Sequence, residues 1–274
     1  MSAASPATAH VPPAPRHVSA FRVFQALLMR DLSVARREVI SFLLRTTFQP
    51  LLFVVVFGYL LPRMGFMQRG YGAALLPGIL GVSLAFASLQ SVTLPMVMDF
   101  GWTKEIEDRL LAPVPTWLVA FEKVVSGIIQ GVFAALFVLP IARLIMGPID
   151  ALTVSHAGAL LAVTVLGAAT FSTLGLVLGT AVEAQQIGLM FSVILAPMLM
   201  FGCAYYPWRG LDHLPVMKYG VLINPLVYVA EGLRAVLTPS LPHMPLAVVL
   251  VMLTVFTAGL WWLGLKTFMK KAVG

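Results

Sequence analysis

Apolar residues run along this chain in blocks of about twenty, broken by short polar or proline-rich links, and the blocks set the expected elements. Residues 20–41 come first and are amphipathic. Phe21, Phe24, Leu28, Leu32, Ala35 and Val39 recur at steps of three and four, while Arg22, Arg30, Arg36 and Arg37 group opposite with Gln25 and Ser33. An arginine-bearing face opposite an apolar face predicts a helix lying in a membrane interface. Six blocks then read as spans: about Phe42–Leu61, Ala73–Met98, Leu118–Met146, Ala157–Val182, Ile187–Ala204 and Leu246–Leu265. Most hold twenty or more residues, enough to cross a hydrocarbon core. Pro197 should kink the fifth. Gly127-x-x-x-Gly131 and Gly175-x-x-x-Gly179 fall in the third and fourth. That spacing allows close approach of helices in lipid, within the bundle or between subunits, although glycine is also simply common in such helices.

Two stretches break the pattern. Asp99–Trp117 is the densest charge cluster, with two basic and four acidic residues. Thr103 can cap a helix whose first turns carry Glu105, Glu107 and Asp108, as the helix dipole favours. Glu105 and Arg109 stand at i,i+4, and Trp102, Ile106 and Leu110 line one side. Pro113 and Pro115 end it. The stretch is either a solvated connector or a contact for a partner. The second stretch, Tyr205–Pro242, is moderately apolar and rich in proline and aromatics. Asn224-Pro225 is a helix start, and Pro225–Leu237 is too short to span. A re-entrant helical hairpin before the last span is expected. Such broken structure survives at membrane depth only against protein or a wet cavity. Glu231 and Arg234, at i,i+3 on its second arm, are either a structural ion pair or a substrate contact.

Composition agrees with a polytopic, all-α membrane protein. The chain is 59% hydrophobic and 11% charged, with mean hydropathy +0.94. Soluble domains have about 45–50% apolar and about 25% charged residues. The net charge of +7 and pI near 9.9 would suggest nucleic acid in a soluble protein. Here the basic residues flank apolar blocks, which fits a bilayer and no nucleic acid. Twelve of the eighteen basic residues lie inside if both termini are cytoplasmic, which the positive-inside rule selects. Residues 1–19, with four prolines, are expected to form a disordered cytoplasmic tail. Residues 42–274 form the transmembrane domain.

Several chemistries find no carrier. One cysteine, Cys203, and five scattered histidines offer no metal site. There is no GxxxxGK[ST] phosphate loop and no catalytic set with a plausible common location, so no catalytic residue and no bound cofactor is expected. The spans hold almost no acids away from their ends, unlike an ion-driven carrier.

At this point the pattern resembles the ABC-2 type transporter permeases, with the drug-resistance and lipo-oligosaccharide exporters as the nearest subgroup. Glu107-Asp108-Arg109-Leu110-Leu111-Ala112-Pro113-Val114-Pro115 is similar to the family's E-R-L-L-x-x-P-V cytoplasmic stretch. Asn224-Pro225-Leu226-Val227-Tyr228 with Glu231-Gly232-Leu233-Arg234 is similar to its N-P…Y…E-G-x-R hairpin. Phe100-Gly101-Trp102 stands where the family usually carries more charge.

The resemblance implies an inner-membrane permease that exports an amphipathic, lipid-like or drug-like cargo. It implies a second copy or a related permease, and separate ATPase subunits that bind ATP and Mg. Trp102, Glu105, Ile106, Glu107, Asp108, Arg109 and Leu110 would couple to the ATPase, with Glu183, Gln185 and Gln186 as a second contact. Tyr206, Asn224, Pro225, Tyr228, Glu231 and Arg234 would belong to the exit hairpin. A membrane enzyme acting on lipids or lipid-linked sugars, with its chemistry in Tyr205–Arg234, is the alternative. A non-transporting scaffold is a third reading.

Overall fold

The computed structural model describes residues 19–66, 71–101, 115–146 and 157–273. The expected tail at residues 1–19, except Ser19, and residues 102–114 of the charged stretch lie outside the described residues. Every described regular element is helical. In chain order they are α1 (Ala20–Arg37), α2 (Val39–Phe53, continued by Val54–Leu60 and Leu61–Arg63), α3 (Tyr71–Gly101), α4 (Thr116–Met146) and α5 (Ala157–Ala181). They continue with α6 (Ala184–Met200), α7 (Pro215–Ile223), α8 (Pro225–Leu237) and α9 (Leu246–Val273).

Four of these, α3, α4, α5 and α9, are single helices long and apolar enough to cross a bilayer. The pair α7 and α8 is apolar too, but bends by 100° at Asn224. The first and fifth expected spans are realised differently: Pro50–Arg63 and Ala184–Met200 are shorter apolar helices. Proline accounts for much of this. Pro50, Pro62 and Pro197 each lack an N–H and crowd the carbonyl four residues earlier. Widened π turns, Val54–Leu60 and Phe191–Leu195, precede Pro62 and Pro197 and hold Gly58 and Val193, the residues whose carbonyls are crowded. A widened turn thus stands just before Pro197, where the sequence predicts a kink. α6 ends at Met200 because Gly202 and Cys203 lead the chain away. Cys203 has φ 51°, the only positive φ of a non-glycine among the described residues.

The core is built on α3. Of its apolar window 89% is buried, against 11% for α9. Both glycine motifs pack against α3. A methyl at Gly131 of α4 would lie 1.8 Å from Ser88 Oγ, and one at Gly175 of α5 would lie 2.7 Å from the Leu89 carbonyl oxygen. Gly127 and Gly179 likewise face Val92 and Met96. Thr93 Oγ1 donates to the Gly175 carbonyl at 3.2 Å, a bond that the close approach permits. The motifs thus serve contacts inside the bundle. On the far side of α5, Thr170 and Thr180 pair with Thr257 and Thr267 of α9 at 2.8 and 2.7 Å. These are interhelical hydrogen bonds of the kind that hold apolar helices in register.

α1 stands outside this core. It has no buried residue and leans on the start of α4, with the Phe24 and Phe121 rings 5.9 Å apart. Its Arg22, Arg30, Arg36 and Arg37 are exposed.

Gly175→Ala should lower thermal stability in detergent by about 1–3 kcal/mol, because backbone must move. Gly158→Ala, with nothing within 4 Å of the added methyl, should leave the melting midpoint unchanged. Thermal unfolding of the two purified variants side by side checks this.

Candidate functional site: a buried ion-pair hub and a charged opposite end

The hub begins with α8. Asn224 Oδ1 accepts from the Leu226 N–H at 3.0 Å, and Pro225 occupies the first helical position. This is the start expected from the sequence. The Asn224 amide also donates to the Met198 carbonyl of α6 at 2.6 Å, so the cap joins two elements. All residues of α8 except Ala235 are buried, whereas α7 has buried only Val221. The hairpin is therefore one inserted arm and one outer arm.

Glu231 and Arg234 lie on the inserted arm, both fully buried, and pair through Oε1 and Nη1. Glu231 Oε1 also accepts from the Trp208 N–H at 2.8 Å, and Oε2 accepts from the Met244 N–H at 2.8 Å. Arg234 Nη2 donates to the carbonyls of Ala74, at 3.3 Å, and Cys203, at 3.2 Å. One ion pair thus ties α8 to the start of α3, to the turn after α6, to the segment that precedes α7 and to the lead-in of α9. The left-handed Cys203 is held by the guanidinium that its carbonyl receives. Neighbouring aromatics reinforce the arrangement. Tyr71 Oη donates to the Tyr205 carbonyl at 2.7 Å, Tyr228 Oη to Leu222 at 3.0 Å, and Tyr206 Oη to Met200 at 3.2 Å. The Tyr205 ring stacks on Phe53 of α2 at 4.4 Å. On the exposed side, Lys218 lies 4.6 Å over the Trp208 ring and 2.9 Å from Asp212. That hydrogen bond holds the Asp212 carboxyl below its ordinary range.

Tyr206, Asn224, Tyr228, Glu231 and Arg234 therefore each make internal hydrogen bonds, and Pro225 is buried at the helix start. The geometry of Glu231 and Arg234 is that of a structural pair.

The opposite end carries a second cluster. Lys123 of α4 is buried and lies 2.5 Å from Asp31 of α1 and 3.8 Å from Asp99 of α3. Asp31 is not marked out by the sequence, because it sits within a basic helix. The available signal was one acid among the arginines of α1 and one lysine at the start of a span. Glu183, Gln185 and Gln186 are exposed at the start of α6. This turn adjoins the end of α3, where a methyl at Gly101 would lie 3.2 Å from the Ala184 methyl. It is thus beside the point where the chain leaves for residues 102–114. Trp102, Glu105, Ile106, Glu107, Asp108, Arg109 and Leu110 all lie outside the described residues.

Comparison with known proteins adds the following. The sequence profile of the ABC-2 type transporter family matches residues 22–238. The chain is 30% identical over 199 residues to "Inner membrane transport permease YadH" of Escherichia coli (strain K12), across 67% of this chain and 70% of that one. Proteins of the same name from Escherichia coli O157:H7 and Shigella flexneri match to the same extent.

Arg234→Met should cost about 3–5 kcal/mol of stability, since it strands a buried carboxylate. The double variant Glu231→Leu, Arg234→Met should cost clearly less than the sum of the two single changes. Unfolding in mixed detergent and SDS micelles, followed by tryptophan fluorescence, measures the cycle.

Proposed function

We propose that this chain, which belongs to the ABC-2 type transporter family, is the transmembrane permease subunit of an ATP-driven exporter. The observation that carries the reading is the family match, which runs from the start of α1 to just past the end of α8 and so includes the Glu231–Arg234 pair and the charged end. The name of its relatives, inner membrane transport permease, supports a place in the bacterial inner membrane. ATP and Mg are bound by a separate ATPase subunit. The cargo is amphipathic, lipid-like or drug-like and leaves from the cytoplasm or the inner leaflet.

In this proposal α2 and α6 complete a count of six spans. The α7–α8 hairpin dips in from the outer face, α1 lies in the inner interface and both termini are cytoplasmic. A second permease copy, or a related chain, covers the lightly packed helices α2 and α6. These expose Leu44, Phe48, Leu52 and Val55 on one and Leu189, Val193 and Met200 on the other. Residues Trp102–Leu110 receive the ATPase, and Glu183–Gln186, next to the end of α3, make a second contact. The central position of α3 supports this division: a push at its cytoplasmic end reaches α4, α5 and α8 without passing through a loop. The alternative, a membrane enzyme working in Tyr205–Arg234, is disfavoured by the burial of Glu231, both of whose oxygens are taken by protein donors.

Affinity purification of the chain from its own membranes should bring down an ATPase subunit in stoichiometric amount. Glu107→Lys and Arg109→Glu should each abolish its stimulated ATP hydrolysis while leaving the permease inserted. A chain that purifies alone, or variants with unchanged activity, would refute the coupling role.

A further inference from the structure

Between α1, the start of α2, α3 and α4 lies an open cleft of about 360 Å³, within the range of small-ligand sites. Its polar wall runs along two otherwise apolar spans. At the charged end are Asp31, Asp99 and Lys123; deeper are the side-chain amides of Gln90 on α3 and Gln130 on α4. Nine residues separate Gln90 from Asp99, or about 13 Å along a helix, and seven separate Lys123 from Gln130, or about 10 Å. Two carboxamides near the middle of spans are costly unless they meet a polar partner. The Gln130 amide donates to Ser126 Oγ at 3.1 Å, which leaves its oxygen as an acceptor. Lys123 is engaged by Asp31 and Asp99. Glu38, exposed in the break between α1 and α2, lines the same cleft. The described charged residues of the lining are three acids, Asp31, Glu38 and Asp99, and two bases, Arg30 and Lys123, so they sum to −1. This surplus of acceptors occurs in a chain of net charge +7. Leu94 and Met98 supply an apolar edge for a hydrocarbon tail.

We infer that this cleft binds the head of an amine-bearing amphiphile, with the ammonium held by Glu38, Gln90 and the Gln130 oxygen and the tail lying along Leu94 and Met98. The assignment of the cleft to the inner leaflet rests on the orientation proposed above. Binding itself does not depend on the export reading. The head is either that of a leaflet aminophospholipid or that of a free cationic amphiphile.

The test uses the purified full-length chain in phosphatidylcholine nanodiscs, without nucleotide or partner. The probes are a dansyl-tailed dodecylamine and its alcohol and carboxylate counterparts. Saturable binding is expected for the amine, at least tenfold tighter than for the other two. Gln90→Leu with Gln130→Leu should weaken it at least tenfold. Glu38→Gln, at an exposed position that does not endanger folding, should weaken it about threefold. Exchange of the lipid for phosphatidylethanolamine separates the sources: loss of probe binding assigns the site to the leaflet lipid, retention assigns it to a free amphiphile, and either result supports the site. Binding that is indifferent to head charge, or equal in the Glu38→Gln variant, would overturn it. A permease that binds the probe but recruits no ATPase would instead refute the export reading and leave the cleft standing.

Discussion

The Glu231–Arg234 pair is the constraint on which the rest of the hairpin end of the bundle depends. Neither charge reaches solvent, so each needs its full set of partners inside the protein. Those partners are backbone groups of four separate segments, at Ala74, Cys203, Trp208 and Met244. Once α8 is inserted, the start of α3, the turn after α6 and the lead-in to α9 have little freedom left. A buried pair of this kind is weak evidence for net stability, whereas the loss of either partner leaves a buried charge uncompensated.

From that hub α3 carries the order inward. It can do so because its neighbours present glycine, serine and threonine where the helices cross, so that the contact is backbone against backbone. In lipid, close packing of this kind replaces the hydrophobic drive that holds soluble helices together. The contrast with α2 and α6 is mechanical. Those helices carry prolines and π turns and bury few residues each, Phe42, Pro50 and Val54 on one and Met190, Leu195 and Leu199 on the other. A dense core of α3, α4, α5 and α8 beside two loosely seated helices suits a protein that must move part of itself while keeping the rest.

The opposite end is joined in another way. Lys123 draws Asp31 and Asp99 together and so fastens the outlying α1 to the core by charge, where the hairpin end uses a buried pair and aromatic stacking. The two ends differ in exposure: the hub is sealed, whereas the Lys123 cluster borders an open cleft.

Periodicity and local chemistry by themselves determined much of this protein. Blocks of apolar residues determined an all-helical membrane chain, because only a helix satisfies its own backbone in lipid. Asn224-Pro225 determined where α8 begins, because capping is decided within one turn. The family resemblance was legible in two short motifs, of which the hairpin one falls on described residues. Tertiary structure decided the rest. That Glu231 and Arg234 form a sealed hub, that both glycine motifs face α3, and that Asp31 meets Lys123 all depend on residues far apart in sequence, such as the 160 positions between Ala74 and Arg234. Gln90 and Gln130 read as isolated polar residues in apolar blocks, and only the crossing of α3 and α4 beside α1 brings them into one cleft. Sequence spacing specifies which residues share a helix face; which face meets which neighbour is fixed by packing among all the helices at once.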